Sequence, residues 1–161
     1  MATIRPFLWF DRNAEEARDF YLSVFNNARA LDARTFTDWV SGTDRTVPVA
    51  LFDFELEGLP FSALNAGPRA PFNERLSLYI ETRDQAETDY FSRALSADGG
   101  SQNPCGWVKD KFGVYWQVVP EIALRLMSGP DRVKAARARR VMHGMSKIVI
   151  AELQAAYDGE V

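Results

Sequence analysis

The chain has 161 residues, room for one ordinary domain or for two small modules sharing a core. Hydrophobic residues at 47% and charged residues at 25% exclude a disordered chain, and the longest apolar runs, such as 47–52, fall far short of the ~20 residues a membrane span needs. A net charge of −3 gives no pull toward nucleic acid or membrane, the single Cys105 excludes an internal disulfide and a four-cysteine zinc site, and the single His143 excludes any site needing several histidines. Met1 runs into Ile4–Trp9 with no charged-then-apolar leader, so a reducing, cytoplasmic setting is expected.

In chain order, Thr3–Phe10 is apolar and aromatic and predicts a strand. Asn13 is placed to cap a helix, with Glu16 reaching back, and Ala17, Phe20, Tyr21, Val24 and Phe25 then recur as one helical stripe. Ala28–Thr37 reads as a weaker strand and Ser41–Thr46 as a turn-rich loop. Val47–Leu56 alternates, with Ala50, Phe52, Phe54 and Leu56 on one face and Asp53 and Glu55 on the other. Residues 57–60 turn the chain, Phe61–Ala66 returns as a strand, and Gly67–Asn73 is a linker.

The pattern then restarts. Leu76–Glu81 is a strand, Asp84 with Glu87 repeats the capping arrangement, and Phe91, Ala94 and Leu95 form a helix stripe that Gly99-Gly100 ends. Trp107–Lys109 and Gly113–Val119 flank an Asp110-Lys111-Phe112-Gly113 turn, which predicts a hairpin. From Asn13 to Asp84 the repeat has an offset of 71 residues, placing Phe20 on Phe91, Val24 on Leu95 and Trp9 on Ile80. The expected fold is α+β: two βαβββ modules, 1–67 and 74–120, whose open sheet faces make a barrel-like cleft. Beyond Pro120, Glu121–Met127 is a short helix, and Asp131–Tyr157 contains no proline and reads as a helical extension within 121–161.

Strand alternation assigns the faces. Leu76, Leu78 and Ile80, with Val114, Trp116 and Val118, should lie under the second helix. Ser77, Tyr79 and Glu81, with Tyr115, Gln117 and Val119, should face the cleft. The offset carries this to Pro6, Leu8 and Phe10, and to Phe61, Ala63 and Asn65. The candidate ligand-binding residues are Leu8, Phe10, Asn65, Ser77, Tyr79, Trp107, Tyr115 and Gln117, an apolar and aromatic wall with a few polar groups. Asn65 and Gln117 read equally as ligand contacts or as hydrogen-bonding groups at the module ends. Trp9, Trp107 and Trp116 read first as core, and Asp110–Gly113 as turn chemistry. Cys105 has no histidine within the modules to activate it and reads as inert, and His143 reads as a surface residue. The basic stretch Arg132–Lys147 reads as a solvated helix face or one that meets an acidic surface on a second copy, not as a nucleic-acid site.

The two-module pattern resembles the vicinal oxygen chelate (glyoxalase/bleomycin-resistance) superfamily, and within it the PhnB-like proteins. The resemblance rests on residues 7–17 (Phe-Leu-Trp-Phe-Asp-Arg-Asn-Ala-Glu-Glu-Ala), on Phe20-Tyr21 and Val24-Phe25, and on 105–117 (Cys-Gly-Trp-Val-Lys-Asp-Lys-Phe-Gly-Val-Tyr-Trp-Gln). The tail from Val141 through Leu153 to Tyr157 is similar to that family's extension. The resemblance implies a homodimer and a small-molecule ligand. It also implies where a metal enzyme of the superfamily would carry its ligands: Pro6 or Phe7, Asn65, Ser77 and Gln117. None of these is a histidine or a carboxylate, so a pocket without metal or other cofactor is expected. A metal-dependent lyase, isomerase or transferase of the glyoxalase type is the alternative. Some relatives carry a 3-demethylubiquinone methyltransferase label, but no glycine-rich strand-to-helix turn is present to hold S-adenosylmethionine.

Overall fold

The computed structural model describes residues 2–40 and 42–160. The chain divides into two compact units, Met1–Ala70 and Pro71–Val161. Each holds its own four-stranded sheet, so the strands form two separate sheets rather than one closed barrel.

The first unit runs β1 (Phe7–Phe10), α1 (Ala14–Val24), β2 (Ala28–Trp39), β3 (Thr46–Leu56) and β4 (Leu59–Asn65), with sheet order β1-β4-β3-β2. β1 pairs with β4 in parallel, and the other pairs are antiparallel. β1 is shorter than the sequence predicts because Pro6 has no N–H to extend the ladder, although its carbonyl still accepts from Ser62 at 3.1 Å. Ala14, Ala17, Tyr21 and Val24 form the buried stripe of α1. Tyr21 stacks on Phe54 at 6.2 Å between ring centroids, and Phe54 on Phe61 at 5.3 Å, which fixes the helix-facing side of β3 and β4. The side chain of Asn13 does not cap α1, contrary to the sequence reading. The cap comes from Asn65 at the end of β4, whose Oδ1 accepts from the Ala14 N–H at 2.7 Å. The turn expected over Ser41–Thr46 is present from Gly42 onward, and Ser41 lies outside the described residues.

The second unit repeats the order: β5 (Leu78–Thr82), α2 (Gln85–Leu95), β6 (Ser101–Asn103), β7 (Trp107–Lys109) and β8 (Tyr115–Pro120), with sheet order β5-β8-β7-β6. Here the expected cap holds. The Asp84 side chain accepts from the Glu87 N–H at 2.9 Å, and Glu87 reaches back to the Arg83 N–H at 2.7 Å. Under α2 the Thr82 and Thr88 hydroxyls meet at 2.6 Å, and Phe91, Leu95, Val108, Trp116 and Val118 are buried.

Three helices complete this unit: α3 (Glu121–Met127), α4 (Arg132–Met142) and α5 (Ile150–Asp158). The sequence predicts one long tail helix, and the structure breaks it at 143–149. The break serves docking. The Cys105 and Gly106 N–H groups donate to the carbonyls of Met145 (2.7 Å) and Ser146 (3.2 Å), groups that a continuous helix would consume internally. Met145 and Ile148 then enter a cluster with Val119, Ala123, Leu126, Ala138 and Leu153. Gly106, at φ +77°, permits this approach: a Cβ there would lie 2.6 Å from the Val118 carbonyl oxygen and 3.0 Å from Ile148 Cδ1. The basic residues of α4 have a role the sequence reading did not foresee. Arg137 donates to the carbonyls of Ala156 (2.9 Å) and Tyr157 (2.6 Å) at the end of α5, and Arg139 donates to that of Met127 at the end of α3. Positive charge thus meets the negative ends of two neighbouring helices.

Candidate functional site

The face assignment reverses in the first unit; in the second it holds for Tyr79, Tyr115 and Gln117, but Leu76 lies before β5 and is exposed, and Val119 is buried in the tail cluster instead of facing a cleft. In the second, Tyr79, Gln117 and Trp107 align across β5, β8 and β7, and Lys109 pairs with Tyr115 beside them. These positions alternate with the helix-side Leu78, Trp116 and Val108, so they share the face away from α2. In the first unit, Leu8 pairs with Ala63 and Phe10 with Asn65, in the row of β4 that also holds Phe61 under α1. Leu8 and Phe10 are buried core residues and Asn65 is the helix cap, so none of the three lines an open face. The reason is one residue: two residues separate Phe10 from Asn13, but only Arg83 separates Thr82 from Asp84. The helices repeat at 71, whereas the strands repeat at 72, from Phe10 to Thr82, and a slip of one flips every side chain.

The face of the first unit away from α1 therefore carries Phe7, Trp9, Leu51, Asp53, Ser62 and Leu64. Asp53 is buried there. It accepts from the Ser62 hydroxyl at 2.6 Å and pairs with Arg34 and, at 3.7 Å, with Arg5. Trp9 donates to the Gly67 carbonyl at 2.9 Å, and the Arg69 guanidinium lies 4.6 Å from the centre of its ring. This face is organised by internal ion pairs and ring contacts.

The second unit holds a cavity of about 400 Å³ on its face away from α2, lined by Glu74, Ser101, Asn103, Pro104, Trp107, Lys109 and Tyr115. Trp107 and Tyr115 meet edge to face at 6.4 Å, and Lys109 Nζ lies 5.8 Å from the Tyr115 ring centre. The Tyr115 hydroxyl donates to Glu74, and this bond, followed by burial, pushes the phenol above its ordinary pKa. The Glu74 carboxyl is held below its usual range by its own backbone N–H and then by the Tyr115 hydroxyl. Two rings edge to face, with Lys109 and the Glu74 carboxylate beside them, offer stacking and charge recognition in one space.

Beside the cavity wall, Gln117 Nε2 donates to Ser77 Oγ at 2.7 Å, and Tyr79 is half exposed. Burial, then the neighbouring Glu81, raises the Tyr79 pKa. The sequence reading missed Lys109, although alternation from Trp107 points to it. It also missed Ser101, Asn103 and Pro104, whose three-residue strand and turn carry no apolar signal. Glu74 stands between the expected linker, which ends at Asn73, and the expected strand from Leu76, where no periodicity could flag it. Trp116 is core: its Nε1 donates to Asp110 at 2.8 Å.

The positions at which the superfamily's metal enzymes carry ligands do not fit a metal here. Phe7 offers only carbon, Asn65 is committed to the α1 cap, and Ser77 and Gln117 bond each other. Among the described residues no group of three or more histidine, cysteine, aspartate or glutamate side chains is placed to hold an ion.

Two βαβββ units of this order, each ending on a strand parallel to its first, define the vicinal oxygen chelate class of fold. The chain belongs to its PhnB-like family, the one described as 3-demethylubiquinone-9 3-methyltransferase, whose family model matches residues 2–119. The match stops before α3, so the tail lies outside it, although the sequence resemblance had included it. A chain described as a putative 3-demethylubiquinone-9 3-methyltransferase, PhnB protein, from Bacillus cereus aligns with a TM-score of 0.58 at 24% identity, over 74% of this chain and 99% of its own. Protein PA1353 from Pseudomonas aeruginosa aligns with a TM-score of 0.57 at 21% identity, over 75% of this chain and 98% of its own. These alignments establish a shared fold. No curated protein matches the sequence.

Proposed function

We propose that this protein binds a small apolar or aromatic molecule carrying a polar group, in the cavity of its second unit, without a metal. The observation that carries the reading is the cavity of about 400 Å³ walled by Trp107, Tyr115, Lys109 and Glu74. Its volume falls within the roughly 300–1,000 Å³ of small-molecule sites, and its walls combine ring faces with a few convergent polar groups. Ser77, Tyr79 and Gln117 extend the same face. The metal-free reading is supported by donor chemistry alone, since the positions available offer carbon, a committed amide and a hydroxyl–amide pair. Neither β1 nor β5 is followed by a glycine-rich turn into its helix, which argues for binding over methyl transfer.

The reading includes a second copy of the chain as partner, in a cytoplasmic setting, with no nucleic acid and no membrane. β2 supports the second copy: it is a twelve-residue edge strand with Phe36 and Trp39 exposed. Two arginines of α4 are engaged with helix ends, which weighs against nucleic acid. Among the described residues no helix is long and apolar enough to cross a membrane.

The test combines elemental analysis of the purified protein with a thermal-shift series of small aromatic acids, amines and alcohols. The reading expects no stoichiometric metal and a compound class whose stabilisation is lost in Trp107→Ala. Tight stoichiometric nickel, zinc, manganese or iron overturns it, as does stabilisation that Trp107→Ala and Tyr115→Phe both leave intact.

A further inference from the structure

The chain has one cysteine and one histidine, and folding brings them together across 38 residues: Cys105 Sγ lies 3.4 Å from His143 Nδ1. Cys105 is half-buried in the turn between β6 and β7, and His143 is exposed immediately after α4. Their approach is set by backbone. The Cys105 and Gly106 N–H groups are clamped to the Met145 and Ser146 carbonyls, and Gly106 packs closely against Ile148. Neither side chain lines the cavity, but the turn that carries the thiol also carries Pro104, and Asn103 and Trp107 of the cavity wall flank it.

A thiol attacks as its thiolate, and an imidazole nitrogen within hydrogen-bond reach is the group that takes its proton. We propose that Cys105 and His143 form a thiol–imidazole pair that reacts with a small organic disulfide to give a mixed disulfide on Cys105. The Sγ proton passes to His143 Nδ1, and Sγ bonds to one sulfur of the incoming disulfide. The original S–S bond breaks, and the departing sulfur takes the proton from His143 and leaves as a thiol. Cys105 is oxidised and the departing half is reduced, so the electrons balance. A second thiol reverses the step. The adduct sits on the clamp that holds 143–149 to the β6–β7 turn, next to the cavity wall. The reaction does not depend on the ligand-binding reading.

Because Cys105 is the single thiol, its reaction with 4,4′-dithiodipyridine has one source of signal. The native protein is expected to react about tenfold faster than the same chain unfolded in guanidinium. His143→Gln, at an exposed position, is expected to bring the native rate down toward the unfolded value while circular dichroism stays native. A native thiol that reacts no faster than the unfolded one overturns the proposal without recourse to any variant. A folded His143→Gln that keeps the full rate overturns the role of the imidazole and the proposal with it.

Discussion

Asp110 is among the most buried side chains of the protein, and one carboxylate closes an entire hairpin. It accepts from the Phe112 N–H at 2.9 Å, the Val114 N–H at 3.0 Å and Trp116 Nε1 at 2.8 Å. Asp110→Ala should cost about 3 kcal/mol in chemical denaturation, because three donors, two of them buried, lose one acceptor. Asp110→Asn keeps an acceptor and should cost less. Glu74 and Tyr115 make a second prediction, about pH. The lowered Glu74 pKa gives a contribution present above the ordinary carboxyl value of 4.5 and lost as pH falls through the lowered value. The raised Tyr115 pKa gives one present below 10.0 and lost as pH rises through the raised value. The bond therefore stands through the neutral range, and an NMR titration of Glu74 should move up toward 4.5 in Tyr115→Phe. At this scale the sequence was legible wherever alternation stayed in step, as at Tyr79, Tyr115 and Gln117. It failed at Leu8, Phe10 and Asn65 because one extra residue before a helix leaves the helical repeat intact and inverts the strand, which no single-period reading detects.

Among the elements, α4 turns a basic composition into architecture. Five of its eleven residues are lysine or arginine, and their number suggested a solvated face. The structure spends Arg137 and Arg139 on the carbonyl ends of α5 and α3 and sets Lys134 3.7 Å from Asp158. Arg137→Ala removes two bonds from a charged donor and should cost about 2 kcal/mol, read as a lower melting temperature. Arg132→Ala, at an exposed first-turn position, should be silent. Helix stripes and strand alternation were legible because they repeat within a few residues. The interruption at 143–149 was not: Met145 and Ser146 leave the helix to satisfy N–H groups some 40 residues earlier, a long-range demand with no local signature.

For the whole molecule, β2 is the surface that most needs company. Its length and exposed aromatics predict that the protein elutes as a dimer in size-exclusion chromatography with light scattering, and that Trp39→Glu shifts it to monomer. The duplication was readable at this scale because both halves bury the same kind of helix against the same order of strands, and each half achieves this with its own chain. The two halves are nevertheless not interchangeable. The second begins its helix with a carboxylate already attached to it, Asp84, so that segment carries its own start signal. The first borrows an amide from Asn65, 51 residues downstream, which exists as a cap only once the β3–β4 hairpin has been laid against β1. Capping of the amino-terminal helix is therefore coupled to sheet assembly, whereas that of the carboxy-terminal helix is local.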